Sequence, residues 1–284
     1  MFFIKFEGFG NDYIVFEAEQ VVAVSDLNEL ARCVCDRHYG AGADGITVVR
    51  ASRDASADFE VRIFNPDGSE ADLSGNGTRC TVAYLHFRKL WGREELRLRT
   101  RAGVKAYRLR ECETDGHYWF DSELGQPVFD SSSVPMVTDA PMKRVVDYPL
   151  NVEGETVLIT ALQMGNPNCC VFVEDFDSID WRRIGKLIEN HPQFPERTNV
   201  TFIRKIDRAN IRVRIWERGA GETFSSGTCS AAAAVASAST GKTNRRLSVH
   251  TPGGQIEVNW REDGEVVLTG RADIVYSGEW LSRC

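Results

Sequence analysis

Two segments of this chain place chemistry-bearing residues at the same spacing. Asn65-Pro-Asp-Gly-Ser-Glu-Ala-Asp-Leu-Ser74-Gly75-Asn76-Gly77 aligns without a gap on Glu217-Arg218-Gly-Ala-Gly-Glu-Thr-Phe-Ser-Ser226-Gly227-Thr228-Cys229, 152 residues further on. Each segment runs into Ser-Gly where a helix is predicted to begin. Unpaired backbone N–H groups and the positive end of the helix dipole make such a position an anion site, and glycine lets a ligand come close to the backbone. Serine at either position would also serve as an ordinary N-cap. Two such loops at equivalent positions point instead to one shared anionic ligand, most simply a carboxylate. Arg218, next to Glu217, offers a bidentate fork for a carboxylate. Amides stand at other turns: Asn11, Asn65, Asn76, Asn166, Asn168 and Asn199. Asn is common in turns for local reasons, but together with Glu217 and Arg218 these residues describe a pocket for an amino acid with two charged ends.

The elements that would position these residues also recur. Gly10-Asn11-Asp12 matches Gly165-Asn166-Pro167, and Ala43-Asp44-Gly45 matches Thr198-Asn199-Val200, both at an offset of 155. Ordered matches at nearly one spacing indicate a duplicated half. The duplication predicts two equivalent loops facing each other across one cleft, Ser74 opposite Ser226, a geometry suited to chemistry on both faces of a substrate. In the first half, strands are expected over 2–6, 13–17, 46–50, 58–65, 96–100 and 104–110, with helices over 27–37 and 77–91. The second helix carries Cys80, Ala83, Tyr84 and Phe87 on one stripe, reaching Leu90 or Trp91. In the second half, strands are expected over 156–162, 169–172, 199–204, 210–217, 247–251, 255–260 and 265–269. Helices are expected over 180–189 and 228–239, and the tail returns to the first half. The expected division is residues 1–117 plus 267–284 against 118–266, with the boundary near Asp115 to Tyr118.

Length and composition limit the function classes. A chain of 284 residues suits two domains of common size. No apolar run approaches the roughly 20 residues of a membrane-spanning helix, and the opening Met1-Phe-Phe-Ile-Lys5-Phe-Glu7 reads as a strand rather than a signal peptide. The net charge of −7 has no large basic block behind it, so neither nucleic acid nor membrane is an expected partner. Cysteines stand at positions 33, 35, 80, 112, 169, 170, 229 and 284 without a Cys-x-x-Cys pair. That pattern predicts free thiols in a cytoplasmic protein and no metal site.

The ordered motifs resemble the diaminopimelate epimerase family across essentially the whole chain. They are Lys5-Phe-Glu-Gly-Phe-Gly-Asn-Asp-Tyr-Ile-Val, Arg37-His-Tyr-Gly-Ala-Gly-Ala-Asp-Gly, Phe64-Asn-Pro-Asp-Gly-Ser-Glu, Ser74-Gly-Asn-Gly-Thr-Arg-Cys, Met164-Gly-Asn-Pro-Asn, Phe194-Pro-Glu-Arg-Thr-Asn-Val, Glu217-Arg-Gly-Ala-Gly-Glu-Thr and Ser226-Gly-Thr. The resemblance implies an α+β fold of two pseudo-symmetric domains, each a mainly antiparallel curled sheet around a central helix. It implies a cofactor-independent epimerase or racemase in lysine biosynthesis, converting LL- to meso-diaminopimelate without metal. One thiolate removes the α-proton and a second thiol protonates the other face. By resemblance, Asn11, Asn65, Asn166, Asn199 and Arg218 bind the distal end of the substrate. Gly75, Asn76, Gly227 and Thr228 hold the α-carboxylate through backbone N–H groups, and Glu217 sits beside the second proton-transfer residue. Both catalytic cysteine positions of the family are serines here, Ser74 and Ser226. A family histidine is Asn168, and a family glycine is Cys229, a candidate substitute thiol three residues after Ser226. Serine is a far weaker acid than a thiol, whose pKa is near 8.5, so altered or reduced epimerase activity is expected. A non-catalytic amino-acid-binding homologue and an isomerase or dehydratase acting on another amino acid stand as alternatives. A homodimer is allowed but not required.

Overall fold

The computed structural model describes residues 1–281; Cys284 lies outside them. The chain divides into two compact units, Met1–Ser122 with the segment from Thr269, and Glu123–Leu268. The first unit contains β1 (Phe2–Gly8), β2 (Asn11–Glu17), α1 (Leu27–Cys35), β3 (Ile46–Ala51), β4 (Phe59–Phe64), β5 (Glu70–Ala71), α2 (Gly75–Phe87), β6 (Glu95–Thr100), β7 (Gly103–Thr114) and β8 (His117–Glu123). The second contains β9 (Val145–Val152), β10 (Glu155–Gln163), β11 (Pro167–Phe172), α3 (Trp181–Glu189), β12 (Asn199–Lys205), β13 (Asn210–Glu217), β14 (Gly221–Thr223), α4 (Gly227–Ser239), β15 (Arg246–Thr251) and β16 (Gly254–Trp260). A long last strand, β17 (Val266–Glu279), starts in the second unit and continues as part of the first.

In the first unit most neighbours are antiparallel, and β2–β3 and β4–β6 are parallel. β17 pairs with both β8 and β1, so the sheet curls round until its ends meet. α2 lies inside this curl. Every residue from Asn76 to Leu85 is buried, packed among Phe6, Tyr13, Val15, Leu96, Tyr107, Phe120 and Ala272. A helix enclosed on all sides has no solvent face and hence no amphipathic stripe. The single stripe expected for it is therefore absent, and the helix is also shorter than 77–91. It starts at its N-cap Ser74 and stops at Phe87. Lys89 adopts φ 56°, and the N–H groups of Leu90 and Lys89 return to Leu85 O at 2.9 Å and His86 O at 3.0 Å. This Schellman closure accounts for the early stop. α1 packs on the other face of the sheet through Leu30, Ala31 and Val34, with Asp26 accepting from Asn28 N and Glu29 N.

The second unit repeats the plan. β11–β12 and β13–β15 are parallel, and the remaining registered pairs are antiparallel. α4 is buried from Cys229 to Ser237. Its run of Ala residues lets the surrounding strands approach closely, at no cost in helix propensity. α3 covers the other face, where Val200 and Phe202 of β12 join Trp181 and Ile188. Asn199 and Thr201 alternate with Val200 and so point to the α4 side of β12.

β8 and β9 were not expected from sequence. Asp115 and Gly116, in the region read as a boundary, turn the chain between β7 and β8, with Gly116 at φ 97°. β9 contains Pro149, which removes a ladder donor and hides a strand from pattern reading.

Candidate active-site residues and family relationship

In the first unit, Ser74 ends an extended segment at the start of α2. Its Oγ accepts the N–H of Gly77 at 3.0 Å, an N-cap bond, and lies 2.8 Å from the hydroxyl of Tyr13 on β2. Burial pushes the Tyr13 phenol up, so it stays protonated at neutral pH. Asn76 and Asn11 belong to one polar chain. The Asn11 amide donates to Asp44 at 2.9 Å, the Asn76 amide donates to Asn11 Oδ1 at 3.0 Å, and Arg79 donates to Asn76 Oδ1. Arg37 bonds both Asp12 and Asp44, and Lys5 bonds Asp12 at 2.7 Å. Burial works against ionisation of Asp12, yet Arg37 and Lys5 hold it down at about 2. Asn65 closes its own turn, donating to Ser69 Oγ at 2.9 Å. Gly75 and Asn76 open α2, Gly75 exposed and Asn76 buried.

The second unit uses its equivalent serine differently. Ser226 occupies the N-cap position of α4 but makes no side-chain cap bond. Its hydroxyl donates to Glu217 Oε2 at 3.1 Å, and Thr223 donates to Glu217 Oε1 at 2.8 Å. Burial raises the Glu217 pKa, and the hydrogen bonds from Thr223 and Ser226 partly offset it. A carboxylate tuned upward and joined to a hydroxyl can take a proton through that hydroxyl. The backbone N–H groups of Gly227 and Thr228, in the first turn of α4, are free of a side-chain cap from Ser226. Cys229 is fully buried. Burial first, and then the Glu217 charge, push its thiol up to about 12, so it is not a thiolate at neutral pH.

The amides of the second unit leave donors unused. Asn199 Oδ1 accepts the backbone N–H of Arg218 at 2.9 Å, and its buried Nδ2 has no partner among the described residues. Asn166 accepts two bonds from the Asn168 amide, at 2.7 Å to its backbone O and 2.9 Å to its Oδ1. Arg218 is exposed and donates to Glu196 O at 2.9 Å. None of its guanidinium nitrogens is ion-paired among the described residues.

The sequence and the fold match relatives of known type. The profile of the diaminopimelate epimerase family matches residues 3–129 and 160–275. The chain is 42% identical over 284 residues to the diaminopimelate epimerase of Pelotomaculum thermopropionicum, covering all of both chains. It is 42% identical to that of Moorella thermoacetica, covering 99% of each. The chain belongs to the diaminopimelate epimerase family. Its fold is also that of a Bacillus anthracis PhzF-family phenazine biosynthesis protein, with TM-score 0.70, 19% identity and 99% of both chains covered. A hydroxyproline epimerase from Agrobacterium vitis matches with TM-score 0.65 and 15% identity, over 98% of this chain and 91% of that one. The membership makes the chain an isomerase of the epimerase type, and no described helix is long and apolar enough to cross a membrane.

Sequence reasoning missed Tyr13 and Thr223, which bond Ser74 and Glu217, and Asp44 and Arg79, which hold Asn11 and Asn76. Tyr13 stands inside a resembling motif, but nothing in the local pattern shows that a strand residue reaches a helix cap 61 positions away. Thr223 follows Glu222 in a short segment whose pairing with β13 alone brings it back to Glu217.

Proposed function

We propose that this protein binds diaminopimelate and labilises the proton on its α-carbon, and that inversion is much slower than with a thiol pair. The observation that carries the reading is the Ser226–Glu217 pair. Ser226 forgoes helix capping and points its hydroxyl at a half-buried carboxylate of raised pKa. In the proposed step the α-carbon proton passes to Ser226 Oγ as the serine proton passes to Glu217 Oε2, leaving a carbanion beside the carboxylate held at the start of α4. Return of the proton by the same route gives exchange with retention. Inversion needs a second donor, which we assign to Ser74 with Tyr13 behind it. Both are neutral hydroxyls, weaker acids than a thiol. Ligand choice is supported by three donors of the second unit, Asn199 Nδ2, Asn166 Nδ2 and Arg218, which together suit a distal carboxylate. Cytoplasmic location fits this role.

The test is solvent deuterium incorporation at Cα of LL- and meso-diaminopimelate, followed by mass spectrometry. Slow incorporation that exceeds epimer formation is expected. Ser74→Cys combined with Ser226→Cys should raise epimer formation by orders of magnitude, since each tenfold needs only about 1.4 kcal/mol of barrier. Rapid wild-type inversion that the double variant fails to improve would sink the reading.

A further inference from the structure

We propose that Asn168 is a positioning residue that fixes which end of the Asn166 amide faces the ligand, and thereby makes the position select a carboxylate over an ammonium group. The inference rests on the proposed contact between Asn166 and the distal end of the substrate.

The polarity follows from one fixed atom. Asn168 is fully buried on β11, and its amide bonds the backbone O of Asn166 at 2.7 Å. A backbone carbonyl can only accept, so the atom against it is Nδ2. The same Nδ2 lies 2.9 Å from the side chain of Asn166. Two amide nitrogens would both donate and repel, so Asn166 must turn its Oδ1 inward and its Nδ2 outward. The turn between β10 and β11 keeps this geometry. Gly165 takes φ 79°, and Met164 N donates to Asn166 O at 3.0 Å. Asn166 Nδ2 has no partner among the described residues, and the residue is half-buried, so a donor is presented outward. Asn168 Oδ1, in contrast, is buried without a partner. An amide kept in place with one end unsatisfied is held by what its other end does.

This role differs from that of a base. Asn168 has no basic atom, and both its bonds go to a neighbour two residues away. With Asn199 Nδ2 also presented as a donor, a ligand carboxylate meets two amide donors, and a ligand ammonium meets the same two with repulsion.

The experiment has two arms on the full-length protein. The first needs no ligand. In Asn166→Asp, the carboxylate at position 166 should accept from Asn168 Nδ2 and titrate below the usual carboxylate range by about one unit, a tenfold change in proton affinity. Adding Asn168→Ala should return it towards the usual range. A carboxyl-carbon NMR titration reads both. A position-166 carboxylate that titrates above the usual range, or is unmoved by Asn168→Ala, overturns the inference. The second arm compares two ligands of equal length by calorimetry, 2-aminopimelate with a distal carboxylate only and lysine with a distal ammonium only. In Asn168→Ala, or in Asn168→Ser if the alanine variant does not fold, the preference for 2-aminopimelate should fall about tenfold, the scale of one charge-assisted bond. Equal weakening of both ligands means a merely structural Asn168 and also overturns the inference. If the wild type binds neither ligand while the titration behaves as expected, the proposed function falls and the polarity of Asn166 stands.

Discussion

Replacing Ser226 with alanine isolates the part of the proposed chemistry that the structure describes most fully. Ser226→Ala removes one of the two hydroxyl donors to Glu217, the one at 3.1 Å, and leaves Thr223 at 2.8 Å. A hydrogen bond to a charged group contributes roughly 1.5–3 kcal/mol, against about 1 kcal/mol to a neutral one. The difference, about 0.5–2 kcal/mol, acts on the ionised form only. At about 1.4 kcal/mol per pKa unit, the Glu217 carboxyl should rise by about 0.4–1.4 units. The sign is upward because a bond stabilising the carboxylate has gone. A carboxyl-carbon NMR titration of Glu217 reads the shift directly, and the pH profile of any residual α-proton exchange should move with it. Stability gives an independent check. The folded pKa of Glu217 is already raised by burial, so its ionisation costs stability as pH rises from the unfolded carboxylate range through the folded pKa. Ser226→Ala should therefore cost least in acid, with both forms protonated, and about 0.5–2 kcal/mol more once the variant's Glu217 has ionised as well as the wild type's. A Glu217 pKa that stays in place or falls, with a stability loss independent of pH, would refute the pairing of Ser226 with the carboxylate.

Ser74→Ala should act on stability through a different mechanism: loss of the α2 cap, about 1 kcal/mol, plus a further cost for the unpaired buried hydroxyl of Tyr13. In a urea-denaturation cycle with Tyr13→Phe, a coupling of at least about 0.5 kcal/mol is expected, and strict additivity would contradict the contact. Arg218→Ala should weaken diaminopimelate binding by roughly 1.5 kcal/mol, about tenfold; unchanged affinity by calorimetry would remove Arg218 from the ligand. Burial holds the Cys229 thiol up at about 12 in the fold, well above its ordinary value. Its contribution is thus present below pH 9 and lost as pH rises towards 12. Cys229→Ser should flatten the alkaline fall in stability by up to about 1.4 kcal/mol per pH unit, and an unchanged slope in denaturation between pH 9 and 11 would mean the thiol already ionises in the fold.

Much of this protein is written locally. The Ser-Gly segments mark the starts of α2 and α4 to within two residues, because an extended serine followed by glycine at a helix start is a property of adjacent residues. The alternation in β12 sets Asn199 and Thr201 on one face and Val200 and Phe202 on the other. The motifs also identify the family, and with it the two serines that stand where thiols are expected. Tertiary structure decided the rest, because side-chain partners come from elements far apart in the chain. Ser74 and Ser226 are equivalent in the repeat, yet one caps its helix and bonds Tyr13 while the other leaves its helix uncapped and bonds Glu217. Asn11 and Asn76 are absorbed into a chain ending on Asp44 and Arg79, whereas Asn166 and Asn199 keep a free donor. Cys229 stands in the first turn of α4, where a helix dipole favours a thiolate, but the packed strands around α4 remove it from water and raise its pKa instead. Spacing along a chain tells which residues share a turn or a face; desolvation and hydrogen-bond partners, which set their acidity, depend on what the other strands bring against that face.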